Sequence, residues 1–268
     1  NLGDACNIRC VYCYVETVIL KLVAKLINAF NRNNGTHFGF QDFVIRRKDS
    51  IKVLERQLLH DDGSPRYKKP GDERVVFTST LVDPAGTMDI VRETAAACLL
   101  ILKYTNWQIR ILSKSTLLVK LITDELIPKE YHHRLILGFS IGTLDDKVAK
   151  AIEIGASPAS LRIEALKQLQ DLGIRTFVMV CPSLPQKDYD GFVRQLIAKI
   201  DISKLEHFYG EVMNVRGKSR TKTLEALEKA GLVEEAELFK QTFGLAAMTS
   251  LSSSGGKKSL RAAIDATF

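Results

Sequence analysis

No apolar run reaches the roughly 18 residues that a membrane-spanning helix needs. The most apolar stretch, 18–30, is broken by Lys21, Lys25 and Asn28, so no membrane association is expected. No signal peptide is visible. No G-x-G-x-x-G run favours an open, doubly wound dinucleotide-binding sheet. Cysteine is scarce: five in 268 residues make no disulfide scaffold, so reduced thiols and a cytoplasmic setting are expected. An initiating methionine is also missing. The chain opens at Asn1, directly on its most informative loop, and further residues are expected ahead of it. Hydrophobic residues make up 46% of the chain, enough for one large α/β domain or two small ones. The net charge of +7 suits an anionic partner, nucleic acid among others.

Three of the five cysteines crowd into Ala5-Cys6-Asn7-Ile8-Arg9-Cys10-Val11-Tyr12-Cys13-Tyr14, a C-x3-C-x2-C spacing. A [4Fe–4S] cluster normally takes four cysteine ligands, so three leave one iron open to a small molecule. Structural zinc also wants four ligands, and His37 and His60 lie too far along the chain to complete an obvious site. A disulfide would leave one thiol over.

Five short runs rich in β-branched or aromatic residues read as strands: 75–80, 108–112, 135–141, 174–180 and 207–213. Helical patterns lie between them at 87–104, 117–126, 145–152, 159–172 and 189–200. In the fourth of these, Leu161, Ala165, Leu166, Leu169 and Leu172 repeat at amphipathic spacing, and Gly173 follows as a stop. Strand starts recur about every 30 residues, the length of a βαβ unit, which predicts a parallel sheet with helices outside. One more strand entering the cysteine loop near Asn1 makes six β/α units. Residues 15–74 form a long crossover: a helix at 17–30, a short strand at 43–45, a helix at 51–59 and a charged loop at 61–72. The barrel spans 1–215. A C-terminal part, 216–268, carries a basic loop, helices at 224–230 and 234–243, and a flexible stretch at 252–258.

The cysteine loop resembles that of the radical S-adenosylmethionine (SAM) enzymes, and the aromatic Tyr12 before the third cysteine fits that pattern. Further stretches are similar to the spore photoproduct lyase-like, or DNA repair photolyase-like, branch. They are Thr80-Leu81-Val82-Asp83-Pro84, Ile111-Leu112-Ser113-Lys114-Ser115, Phe139-Ser140-Ile141-Gly142-Thr143-Leu144-Asp145, and Glu153-Ile154-Gly155-Ala156-Ser157-Pro158 continuing to Arg162. The resemblance implies a partial (β/α)6 barrel with a cluster on Cys6, Cys10 and Cys13. It implies SAM at the open iron, split by an electron into methionine and a 5′-deoxyadenosyl radical that abstracts hydrogen from a substrate. A reducing partner of the flavodoxin or ferredoxin type is then needed.

Parallel barrel strands point their C-terminal ends at the active site. The cofactor contacts expected there are Tyr12, Ser79, Thr80, Asp83, Lys114, Ser140, Glu153, Arg162 and Met213, with Lys114 at the SAM carboxylate. Arg162 reaches either that carboxylate or Glu153. Spore photoproduct lyase uses a cysteine as hydrogen donor near the end of strand two; here Thr78-Ser79-Thr80 stands there, and Cys181 is the candidate substitute. Cys98, on an apolar helix, reads as core. His132, His133 and Trp107 precede strands and belong to the opposite end of the barrel. Arg216, Lys218, Arg220 and Lys222, with Arg46-Arg47-Lys48, are candidates for nucleic-acid contact. The expected substrate is a nucleic-acid base or nucleotide, repaired or modified, in a lyase, isomerase or modifying reaction. A free small molecule or peptide is the alternative, and a non-catalytic iron–sulfur protein that binds nucleic acid is another.

Overall fold

The computed structural model describes residues 2–3, 6–42, 44–78, 81–215 and 218–244, with the side chains of 16–22 left aside. Its centre is a curled half-barrel of five parallel strands, β1 (Val75–Thr78), β2 (Gln108–Ser113), β3 (Leu135–Ser140), β4 (Arg175–Ser183) and β5 (Leu205–Val212), hydrogen-bonded in chain order. This is the partial barrel expected. All five strands were legible because each carries a short run of β-branched, aromatic or other apolar residues. β4 continues to Ser183, past the expected end at 180, because Ser183 still pairs with Val212. A sixth strand is not among the described residues. Asn1, Asp4 and Ala5 lie outside them, and Gly3 makes a single antiparallel bridge to Arg46. That bridge stands near the expected short strand at 43–45, of which Phe43 is outside the described residues and 44–45 are not a strand.

Helices α3 (Met88–Tyr104), α6 (Ala159–Asp171) and α7 (Tyr189–Ile197) cover the outer face. Ile109 and Ile111, Leu137 and Phe139, and Val178 and Val180 point outward into one core with Val91, Cys98, Leu166, Leu169 and Val193. Strand residues alternate between faces, so the intervening ones line the concave side. On that side, among the described residues, Val75, Phe77 and Tyr209 are 45%, 46% and 43% exposed, while Ile136 and Phe177 are buried.

Helix ends follow local chemistry. The Thr87 hydroxyl accepts from the Ile90 amide and starts α3. Asp145 accepts from the Lys147 and Val148 amides and starts α5 (Asp146–Ile152). Gly173, at φ +74°, ends α6 as expected. The helix expected over 117–126 shrinks to a 3-10 turn, Thr116–Val119, and α4 (Lys120–Thr123), because Glu125 takes a left-handed φ of +52° and Pro128 follows. The crossover holds α1 (Val15–Asn34) and α2 (Ser50–Leu58). At the C-terminus, α8 (Ser219–Lys229) and α9 (Val233–Phe243) pack with α5 and Tyr12 in a second, smaller core. The flexible stretch expected at 252–258 lies outside the described residues.

Candidate metal and cofactor site

The cysteine loop lies across the C-terminal ends of β2 and β3. Backbone bonds fix it at both sides. The Gly155 amide donates to the Ile8 carbonyl at 2.7 Å, and the Val11 amide to Ile152 at 2.9 Å. Cys10 bridges Glu153 antiparallel. Residue 155 must be glycine for this fit: a Cβ there would meet the Asn7 carbonyl oxygen at 2.5 Å. Inside the loop Arg9 takes a left-handed φ of +56°, a conformation that a non-glycine residue adopts at a cost.

Cys6, Cys10 and Cys13 border one cavity of about 150 Å³, together with Asp83, Lys114 and Ser140. All five cysteines are thiols. Burial, with Asp83 close by, pushes Cys6 up to about 11, and burial pushes Cys10 higher still despite Lys114 nearby. Metal binding would reverse this, because a coordinating thiol is deprotonated outright. Among the described residues, no three His, Cys, Asp or Glu side chains converge on one ion-sized point. The three thiols border one cavity without gathering around a single ion, and they are the residues that would hold any metal group placed there.

Lys114 closes the other wall. Its ammonium donates to the Ser140 hydroxyl and, at 3.0 Å, to the Cys181 carbonyl, and stands 3.6 Å from Glu153. Asp83 ties the β1 loop to the end of β2. Its carboxylate accepts from the Ser113 hydroxyl at 2.7 Å and the Lys114 amide at 2.9 Å, and its own amide donates to the Cys6 sulfur at 3.4 Å. Burial raises the Asp83 carboxyl in spite of these bonds.

Of the other expected contacts, Tyr12, Glu153 and Arg162 are buried and bonded to one another behind the loop. Met213 is 4% exposed and packs in the smaller core rather than on the cavity. Ser79 and Thr80 lie outside the described residues. Cys181 sits on the concave side of β4; its thiol, pushed up to about 11 by burial, donates to Glu211 at 3.5 Å and does not line the cysteine cavity. Cys98 is core, 1% exposed. Trp107 and His132 serve the opposite end, bonded to Asp72 and to the Ile127 carbonyl.

The expected basic loop is corrected in part. Arg216 lies outside the described residues, but Arg220 and Lys222 stand in the first turns of α8 and Lys218 at its N-cap. Leu224 and Leu227, packed in the smaller core, carry the helix back to Ser219, and the Thr223 hydroxyl bonds the Ser219 carbonyl. Two residues escaped the sequence reading. Gln41 donates to the Cys10 carbonyl at 2.8 Å, and Asn7 to the Gly86 carbonyl at 3.0 Å. Gln41 belongs to no periodic segment and carried no signal; Asn7, inside the cysteine run, did.

No family model matches the chain. A curated relative, an uncharacterized protein of Acidianus two-tailed virus, is 29% identical over 102 residues, 36% of this chain and 34% of that protein. A solved spore photoproduct lyase mutant with bound AdoMet and dinucleoside spore photoproduct superposes with a TM-score of 0.58 at 15% identity, covering 85% of this chain. Spore photoproduct lyase complexed with dinucleoside spore photoproduct gives 0.57 at 14% identity. The chain spans 60% of the length of those structures and shares their fold.

Proposed function

We propose that this chain, with the fold of spore photoproduct lyase, is a radical SAM enzyme acting on a nucleic-acid base or nucleotide. The observation that carries the reading is the single cavity bordered by Cys6, Cys10, Cys13, Lys114 and Ser140. The three thiolates would hold a [4Fe–4S] cluster, which when bound supplies the electron for reductive cleavage of SAM. Lys114 provides an ammonium for the SAM carboxylate, already aimed by Ser140 and the Cys181 carbonyl. Asp83 holds the β1 loop against Cys6, with Ser79 and Thr80 as further contacts from that loop. Cys181 is the thiol on the concave side, where a substrate enters. The nucleic-acid assignment is supported by the dinucleoside bound to the structural neighbours and by the net charge of +7. Arg216, Lys218, Arg220 and Lys222 are its candidate contacts. An external reductant of flavodoxin or ferredoxin type completes the reading. Among the described residues no helix is long and apolar enough to cross a membrane, and reduced thiols suit the cytoplasm.

Anaerobic reconstitution tests this. The expected product is a brown protein with about four irons per chain. With dithionite and SAM it releases 5′-deoxyadenosine. Cys6→Ala, Cys10→Ala and Cys13→Ala each prevent assembly, while Cys98→Ala does not. Lys114→Ala keeps its iron and loses SAM affinity. A colourless protein holding one tight zinc ion overturns the proposal.

A further inference from the structure

We infer that Tyr12, Glu153 and Arg162 form a clasp that holds the cysteine loop against the barrel, and that Glu153 is a positioning residue rather than a contact to the cofactor. Glu153, at the C-terminal end of α5, is 3% exposed, and Arg162, on α6, is 0% exposed. One carboxylate oxygen of Glu153 accepts from the Arg162 guanidinium at 2.5 Å. The other accepts the Tyr12 hydroxyl and faces Lys114 at 3.6 Å. Arg162 donates its second terminal nitrogen to the Ser140 carbonyl at the end of β3. A continuous chain of bonds therefore runs from β3 through Arg162 and Glu153 to Tyr12, with a branch through Lys114 to β4.

Tyr12 stands between Cys10 and Cys13, so anchoring its side chain fixes the backbone on which both sulfurs are mounted. The ring is held from behind as well, in the smaller core with Val148, Ile152, Leu227 and Phe239. Main-chain bonds reinforce the same stretch through the Val11–Ile152 pair and the Cys10–Glu153 bridge. Glu153 thus sits behind the loop, absent from the cavity wall, with each oxygen already committed. A carboxylate buried between two cations is held firmly: losing one partner leaves an uncompensated buried charge.

The amides of Val11 and Gly155, bonded across the loop's two sides, report its opening directly by hydrogen exchange. In the metal-free full chain, Tyr12→Phe keeps the ring and deletes the hydroxyl. Exchange at these two amides is expected to quicken about five- to tenfold, the size of one buried hydrogen bond, while amides of α3 stay as protected as in the parent. Glu153→Gln, which also strands the Arg162 charge, should quicken both amides further and lower the protection of the whole fold with them, so the comparison with α3 is made in Tyr12→Phe. Reconstituted Tyr12→Phe should also release iron to a chelator several-fold faster than the parent. Unchanged exchange at Val11 and Gly155 in Tyr12→Phe overturns the clasp. So does equal loss of protection in α3, which means that the network holds the core and not the loop. Weakened SAM affinity with unchanged exchange returns Tyr12 to the role of cofactor contact, and overturns the clasp too. If Glu153→Gln does not fold, Tyr12→Phe decides alone, since it leaves the ion pair intact. The mechanical part rests on no cofactor. A parent chain that takes up no iron defeats the proposed function and leaves the exchange measurement standing.

Discussion

Glu153 shows how one residue reconciles opposite electrostatic demands. Burial raises its carboxyl, but Lys114 and Arg162, with hydrogen bonds from Tyr12 and Arg162, outweigh burial and hold it below its ordinary value of 4.5. A carboxyl depressed in the folded state stabilises the fold above its unfolded value, and that contribution is lost as pH falls through the folded value. Glu153→Gln should therefore cost about 3 kcal/mol at neutral pH, because Arg162 loses its counter-charge in the interior. The difference from the parent should shrink steadily below about pH 4.5. Urea unfolding of both chains from pH 7 downward measures it, and a pH-independent difference refutes the assignment. At this scale the sequence was informative where chemistry is rare. Three clustered cysteines and a lysine after a strand stand out against any background. Whether Arg162 met Glu153 or a cofactor was undecidable from spacing, because side-chain reach depends on how α6 lies across the end of β3.

Elements were legible where their own residues enforce them. The strands carry β-branched or aromatic runs, and in the structure Thr87, Asp145 and Asp188 cap the starts of α3, α5 and α7. Asp145 matters beyond its helix, since α5 ends at the residue that latches the loop. Asp145→Ala should lower stability by about 1 kcal/mol, seen as a lower urea midpoint with an unchanged slope; no change means that the cap is redundant. Elements misjudged from sequence were those decided by neighbours. The basic run at 218–222 looks like a loop by charge, yet burial of Leu227 and Thr223 makes it helix. Its cations then sit at a helix N-terminus, where the dipole opposes them, so packing and not local preference holds them there.

Over the whole molecule, the described helices pack on the outer face of the half-barrel, and the chain carries a net charge of +7. If the substrate is nucleic acid, affinity should fall steeply with salt as counterions are released. Neutralising Lys218, Arg220 and Lys222 together should lower that slope by about one for each lost phosphate contact. Filter binding at several salt concentrations reads this, and an unchanged slope, or no binding by the parent at low salt, points to a small-molecule substrate. The sequence by itself determined the parallel β/α order, the cysteine loop and the middle of the α6 core face (Ala165, Leu166 and Leu169 are buried, whereas Leu161 and Leu172 of the same repeat are exposed), because hydrophobic period and rare residue types act over a few neighbouring positions. Only the tertiary structure decided that Glu153 and Arg162 lie behind the loop, that Met213 is core, that Gln41 reaches the Cys10 carbonyl and that Cys181 turns to Glu211. Those outcomes depend on which strand ends come together when the sheet curls, and contacts between residues dozens to more than a hundred positions apart leave no periodic trace in the chain.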